Sequence, residues 1–216
     1  MKRSDTRERI LDAALDLFSV SGYEGVSVKQ IADAVGIKDS SLYKHFSSKQ
    51  SIYDTLLAEM NKRFEETISF YHLPQGEIKA VAKEYGQRDL VWLKKACEAI
   101  FTFFLEDPRA SKFRRMLMVE QYKNNDAAKT FSDWFTDDAI LFQESLFAEM
   151  IQQGYFIEGD PKIIALQFYG PFYLLLCQYD NKPAQHREAL DLLMAHVEQF
   201  ARMYQPTMGN EGVGKQ

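Results

Sequence analysis

The 216-residue chain is 46% hydrophobic and 26% charged, with six prolines and eleven glycines, which describes a packed protein with few long irregular stretches. Its longest uninterrupted apolar run, Phe172 to Cys177, falls far short of the roughly 20 residues a membrane-spanning helix needs, and the opening MKRSDTRER carries no apolar signal core. Neither membrane insertion nor secretion is expected, and the expected location is cytoplasmic. Cys97 and Cys177 are too few and too isolated for a disulfide framework or a zinc motif, so no metal or cofactor is expected. The net charge of −5 is unevenly spread. Residues 1–64 hold ten Lys/Arg against nine Asp/Glu, a balance of +1 that leaves −6 for the remainder. A local basic face on an acidic body is compatible with DNA, because phosphate contacts depend on nearby cations rather than on the sum.

In chain order nearly everything reads as helix. From Asp5 to about Ser21, Ile10, Ala14, Leu17 and Phe18 recur at helical spacing, with Leu11 and Leu15 widening the stripe and Asp5 and Glu8 placed to cap it. The loop SGYEG follows. Ser27 and Gln30 form an S-x-x-Q capping box for a second helix with Ile31, Ala32 and Val35 on its apolar face, and Gly36 ends it. A third, very short helix begins at Lys38 or Asp39 and runs through DSSLYKHF. Ser47 and Gln50 make another such box, opening a long fourth helix through Ile52, Leu56, Leu57, Met60 and Phe64. The loop HLPQG (72–76) then breaks the pattern. Beyond it the spacing predicts long helices at about 88–106, 109–123, 126–153, 161–179 and 184–204, with breaks at Asp107-Pro108, Asn124-Asn125, 154–161 and 180–183. Gly170-Pro171 is expected to kink the 161–179 helix. The expected fold is all-α: a helix-turn-helix head over 1–50, a linking helix over 48–71, a helical body over 72–205, and a disordered tail over 206–216.

Residues 22–50 carry the chemistry. A helix-turn-helix lays its second helix in the major groove, about 12 Å wide, while the first braces it across the backbone. Ala32 is small where the two helices approach, Gly36 makes the turn, and Leu42 and Phe46, four apart, face inward. The opposite face offers Lys38, Ser40, Ser41, Tyr43, Lys44 and His45, which are phosphate and base-edge binders rather than core formers.

The run VSVKQIADAVGIKDSSLYKHFSSKQSIYDTLL resembles the N-terminal signature of the tetracycline-repressor (TetR/AcrR) family of regulators, and the preceding Ile10, Leu11, Ala13, Ala14, Leu17, Phe18, Gly22 and Tyr23 fit the same pattern. The likeness covers about residues 7–57; the remainder is similar only in length and helix content. It implies that Ser27 and Lys29 contact phosphate, that Lys38, Ser40, Ser41 and Lys44 reach the groove, and that Tyr43 and His45 touch the backbone. It also implies that Lys49 anchors a phosphate at the start of the fourth helix. Asp39 either caps the short helix or accepts from a cytosine amino group, with the cap favoured. The implied function is a ligand-responsive regulator, a repressor by preference, that binds a palindromic double-stranded operator as a homodimer.

For the body, the resemblance implies a small-molecule effector site and a dimer interface. Aromatic and methionine side chains are abundant between 88 and 179, and most of them serve a helical core. Those chosen as lining an apolar or aromatic effector are Trp92, Phe104, Met116, Trp134, Tyr169 and Tyr173, with Glu120 and Gln121 as polar contacts. The last two helices supply the expected dimer face: Phe168, Phe172 and Leu175, then Leu190, Leu193, Val197, Phe200 and Tyr204. Two other classes are the alternatives. An all-helical enzyme finds no support, since His45, His72, His186 and His196 lie in separate segments and no phosphate-binding glycine loop occurs. A helical adaptor would use the C-terminal stripe to hold another protein and would show no salt-dependent DNA affinity.

Overall fold

The computed structural model describes residues 6–123 and 125–206. Among these are eleven α-helices and one 3-10 turn, with no strand. The caps proposed at Asp5 and the tail after Pro206 lie outside the described residues, as does Asn124.

The first three helices form a compact head. Helix α1 (Thr6–Ser21) buries Ile10, Leu11, Ala14, Leu15 and Phe18, a stripe one or four residues apart. Helix α2 (Val28–Val35) starts on the Ser27 box: the Ser27 hydroxyl accepts from the Gln30 amide at 3.2 Å, and the Gln30 side chain accepts from Ser27 N–H at 2.7 Å. It ends at Gly36, whose φ of 76° is left-handed and is reached without strain only by a residue lacking Cβ. Helix α3 spans only Asp39–Leu42, and Tyr43 to His45 continue as a turn. Its N-cap is Lys38, which makes no side-chain cap bond, and Asp39 sits at the first helical position rather than at the cap.

Helix α4 (Lys49–Phe70) links head to body. Its capping box is Ser48 with Ser51, one residue later than the spacing of Ser47 and Gln50 suggested; a short Ser side chain replaces Gln as the reciprocal partner. The 72–88 stretch is not all loop: α5 (Ile78–Gly86) buries Val81 and Ala82. Helices α6 (Leu90–Glu106) and α7 (Pro108–Glu120) are separated by Asp107, whose carboxylate accepts from Arg109 and Ala110 N–H at 3.0 and 2.9 Å, with Pro108 at the first helical position.

The expected single helix over 126–153 is two: α8 (Asn125–Phe135) and α9 (Asp137–Gln152), broken at Thr136 (φ −134°, ψ −77°). The sequence FTDD contains the reason, a Thr followed by two acids in the first turn of the next helix. The carbonyl of Phe135, left over at the end of α8, accepts the Tyr169 hydroxyl at 3.0 Å. Helix α10 (Pro161–Tyr179) is capped by Asp160 and runs past Pro171 without ending. A 3-10 turn (Pro183–Gln185) leads into α11 (His186–Tyr204).

One hydrophobic cluster runs from Ile10 through the head, α4, α6, α7, α8, α10 and α11 to Val197, so the head rests on the body through shared core. A smaller cluster joins α5, α9, α10 and α11 around Phe147, Phe156 and Phe200. Fully buried rings such as Phe18, Phe101 and Phe113 contribute on the order of 2–3 kcal/mol each by leaving water. No helix of the described residues is long and apolar enough to cross a membrane.

Candidate nucleic-acid interface and central cavity

The α2–α3 unit sorts its side chains as a groove reader must. Ile31, Ala32, Val35, Leu42 and Phe46 are buried, and they hold the short helix against α1 and α2. Ser27, Lys29, Lys38, Ser40, Tyr43, Lys44 and His45 are exposed, and Ser41 is half-buried. Tyr43 is 53% exposed, an unusual position for an aromatic ring with a nearby core to enter. The exposed set is rich in donors and has three ammonium groups, chemistry suited to phosphate oxygens and base edges.

Lys49 has a different setting. Its ammonium donates to the carbonyls of Tyr23 and Val26 at 2.8 and 2.9 Å and lies 4.1 Å from the centre of the Tyr23 ring. Two of its three protons are therefore spent on stapling the α1–α2 loop to the start of α4, which fixes where Ser27 sits. The Tyr23 hydroxyl reinforces this through Gln50 at 2.9 Å.

Residues to which the sequence assigned no role between head and body fasten the two together. Glu8, Asp12 and Asp16, four apart on α1, face Arg109 and Lys112 of α7. The Arg109 guanidinium reaches Glu8 at 2.9 Å, Asp12 at 2.6 Å and Glu59 of α4 at 3.0 Å, and Lys112 pairs with Asp16. The i, i+4, i+8 spacing of the three acids was a visible signal, though nothing in the sequence named its partner. Further along, Lys123 donates to the Ser21 carbonyl at 3.1 Å. Glu120, chosen as an effector contact, is instead wholly buried at this joint with no hydrogen-bond partner for either oxygen among the described residues. A Cβ on Gly22, whose φ is 76°, would stand 2.3 Å from its Oε2. Only glycine fits there.

A cavity of about 720 Å³ opens in the body between α4, α5, α6, α8, α9, α10 and α11. That is the size range of small-molecule sites, and rings dominate its wall. Of the eight expected effector contacts, Phe104, Trp134 and Tyr169 line it. Tyr173 shares with Tyr169 a second, more open groove of about 620 Å³ beside α8, α9 and α10. Trp92, Met116, Glu120 and Gln121 line neither. Trp92 packs on Tyr85 and under the Arg88 guanidinium, Met116 is in the core, and Gln121 bonds the Met118 carbonyl. The wall also includes residues not anticipated, notably Phe64 and Ile68 of α4 and Phe142 and Phe147 of α9. Phe64 sits four residues after Met60, which the fourth-helix pattern had marked only as core. Burial pushes the Cys97 thiol on this wall up to about 12, which keeps it protonated and unreactive at neutral pH. The Tyr85 and Tyr169 phenols are raised as well, chiefly by burial, and remain donors.

The residues expected to form a dimer face mostly serve the chain's own core. Phe172, Leu175, Leu193, Val197 and Phe200 are buried within one chain, and Phe168, Leu190 and Tyr204 are half-buried. Their neighbours on the other side of the same helices are the ones left in water: Ile163, Leu166, Leu174 and Cys177 on α10, with Gly170 between them, and Leu192 and Met203 on α11. The α10 positions recur every three or four residues, so they form one continuous apolar stripe.

Residues 10–56, which span the three head helices and the start of α4, match the family model described as bacterial regulatory proteins, tetR family. The head is a TetR-family domain. Among curated relatives, the biofilm operon icaADBC HTH-type negative transcriptional regulator IcaR of Staphylococcus aureus (strain Newman) is 50% identical over 48 residues, 22% of this chain and 26% of that protein. The HTH-type transcriptional regulator UidR of Escherichia coli (strain K12) is 32% identical over 94 residues, 40% of this chain and 48% of that protein. The chain thus spans between a quarter and a half of the length of these relatives. Likeness to solved structures extends over the whole fold. A complex of SmeT with triclosan superposes with a TM-score of 0.63 at 21% identity, covering 98% of this chain and 99% of that one. A TetR family transcriptional regulator from Chloroflexus aurantiacus J-10-FL gives 0.66 at 15% identity, covering 94% of each chain. At such identities the TetR-family head is joined to a body that shares the fold of these proteins, and the body's chemistry must come from its own residues.

Proposed function

We propose that the protein is a dimeric, effector-responsive transcriptional repressor whose TetR-family head binds a palindromic operator. The observation that carries this reading is the ridge of exposed Lys38, Ser40, Tyr43, Lys44 and His45 on a turn held from behind by Leu42 and Phe46. Lys29 and Ser27 flank that ridge, and Lys49 positions the loop that presents them. The relatives' names, a negative regulator among them, support repression over activation.

Two copies pairing through the α10–α11 stripe would place their heads on successive major grooves, roughly 34–36 Å apart or a multiple of it. Helix α4 couples the two ends of each subunit. Ile52 and Leu56 lie in the buried core near its start, while Phe64 and Ile68 line the cavity near its end. Its 22 residues make a rod of about 33 Å, so a small displacement at Phe64 becomes a shift of the head. An effector in the cavity changes operator affinity only by its difference in affinity for the two head spacings.

Replacing Tyr43 or Lys44 with Ala weakens operator binding about tenfold each, and Lys44→Ala also reduces the slope of log affinity against log salt by about one. Both side chains are exposed, so the melting temperature stays put. Fluorescence anisotropy with the two variants checks this; unchanged affinity in both contradicts the assigned docking.

A further inference from the structure

The polar side chains on the cavity wall are not balanced in charge. Three carboxylates line it, Glu65 of α4, Asp133 of α8 and Asp138 of α9, with the neutral amides of Asn61, Gln75, Gln143 and Gln205. Among the described residues the single lining cation is Arg88, and its charge is already engaged: the guanidinium bonds Glu84 at 2.8 Å and lies 5.0 Å over the Trp92 ring. Lys129 offsets Asp133 through a 2.6 Å contact, which leaves Glu65 and Asp138 in excess. The rest of the wall is largely aromatic and aliphatic, with Phe64 and Trp134 next in sequence to Glu65 and Asp133, and Phe142 one turn beyond Asp138 on α9. Ring faces attract cations and repel anions, and carboxylates beside them add to the same preference.

We propose that the cavity selects amphiphilic cations, molecules with an aromatic or alkyl body and one protonated amine or quaternary onium centre. The inference rests on the cavity being the effector site, and it assigns the effector's charge and class. The apolar body occupies the ring-lined interior, and the onium centre sits toward Glu65 and Asp138. An anionic amphiphile of the same shape meets excess carboxylate and, among the described residues, no unengaged cation on the wall.

Calorimetric titration of the full-length protein with three probes of related shape tests this. Tetraphenylphosphonium is cationic, triphenylphosphine oxide is neutral and tetraphenylborate is anionic. The phosphonium is expected to bind at least tenfold more tightly than the oxide, with the borate weakest. In the Glu65→Gln/Asp138→Asn double variant the ratio of phosphonium to oxide affinity falls by about tenfold. Both positions are exposed, and a thermal melt confirms that the variant folds. Equal binding of all three probes, tighter binding of the borate, or a ratio unchanged in the variant overturns the assignment of charge and leaves the effector site standing. Failure of all three to bind removes the effector site itself, and this inference with it.

Discussion

Leu174→Glu converts the protein to a monomer in sedimentation and lowers its operator affinity by a hundredfold or more. Leu174 is 62% exposed in one chain, in the middle of the α10 stripe between Gly170 and Cys177, so the substitution leaves the subunit's own packing untouched. In a two-fold interface the same residue meets its counterpart's surface on both sides, and two buried carboxylates enter at once. The loss at the operator follows because a single short recognition helix has little reach, whereas two linked heads gain two to four orders of magnitude in avidity. The neighbouring Leu175→Glu is the contrast. That side chain is buried in the main core, so its replacement unfolds the subunit rather than separating two folded ones. A Leu174→Glu protein that sediments as a dimer would place the interface elsewhere.

The second large effect is at Arg114, whose side chain is fully buried on α7 and bonded to Asp180 at the end of α10. Arg114→Met roughly keeps the volume but strands the Asp180 carboxylate, which among the described residues retains only the Arg115 ion pair at 3.7 Å. Breaking one side of a buried pair costs about 3–5 kcal/mol, which for a chain of this size lowers the melting temperature by roughly 6–20 °C. Adding Asp180→Leu recovers most of that loss, because the pair's mutual attraction mainly offsets the desolvation of its members. Thermal melts of the single and double variants decide it. A single variant melting within about 2 °C of the parent contradicts a structural role for the pair.

The head was legible in the sequence because its rules are local. A Ser-x-x-Gln box, a left-handed Gly36 and the inward pair Leu42 and Phe46 each act within a few residues, and all are in place. Where local rules were ambiguous, the errors were small: Ser48 rather than Ser47 caps α4, since two consecutive serines differ only in register. The break at Thr136 was written in FTDD but outweighed by continuous apolar periodicity on both sides.

The body was legible only in kind. Periodicity identifies an apolar face but not what covers it, and α11 has its strongest stripe, Leu193, Val197 and Phe200, against its own chain. Helix α10 is apolar nearly all round, so the sequence could not say which side was inward. The adjacent Arg114 and Arg115 look alike in sequence; only the packing of α7 among its neighbours buries one and leaves the other partly exposed. Cavity membership is harder still, because it depends on where packing is incomplete. Phe104, Trp134 and Tyr169 line the void while Met116, equally suitable by type, fills a core position completely.

The most direct test of the central claim is fluorescence anisotropy of the intact protein against DNA from upstream of its own gene and against a scrambled duplex, over a salt series. Tight binding to one sequence, with log affinity falling steeply as log salt rises, is the predicted result, and the slope counts the phosphates that the ridge from Lys38 to His45 and its neighbours neutralise. Binding that is equal and weak for both duplexes, at every salt concentration and for every upstream fragment tried, would contradict a DNA-reading head.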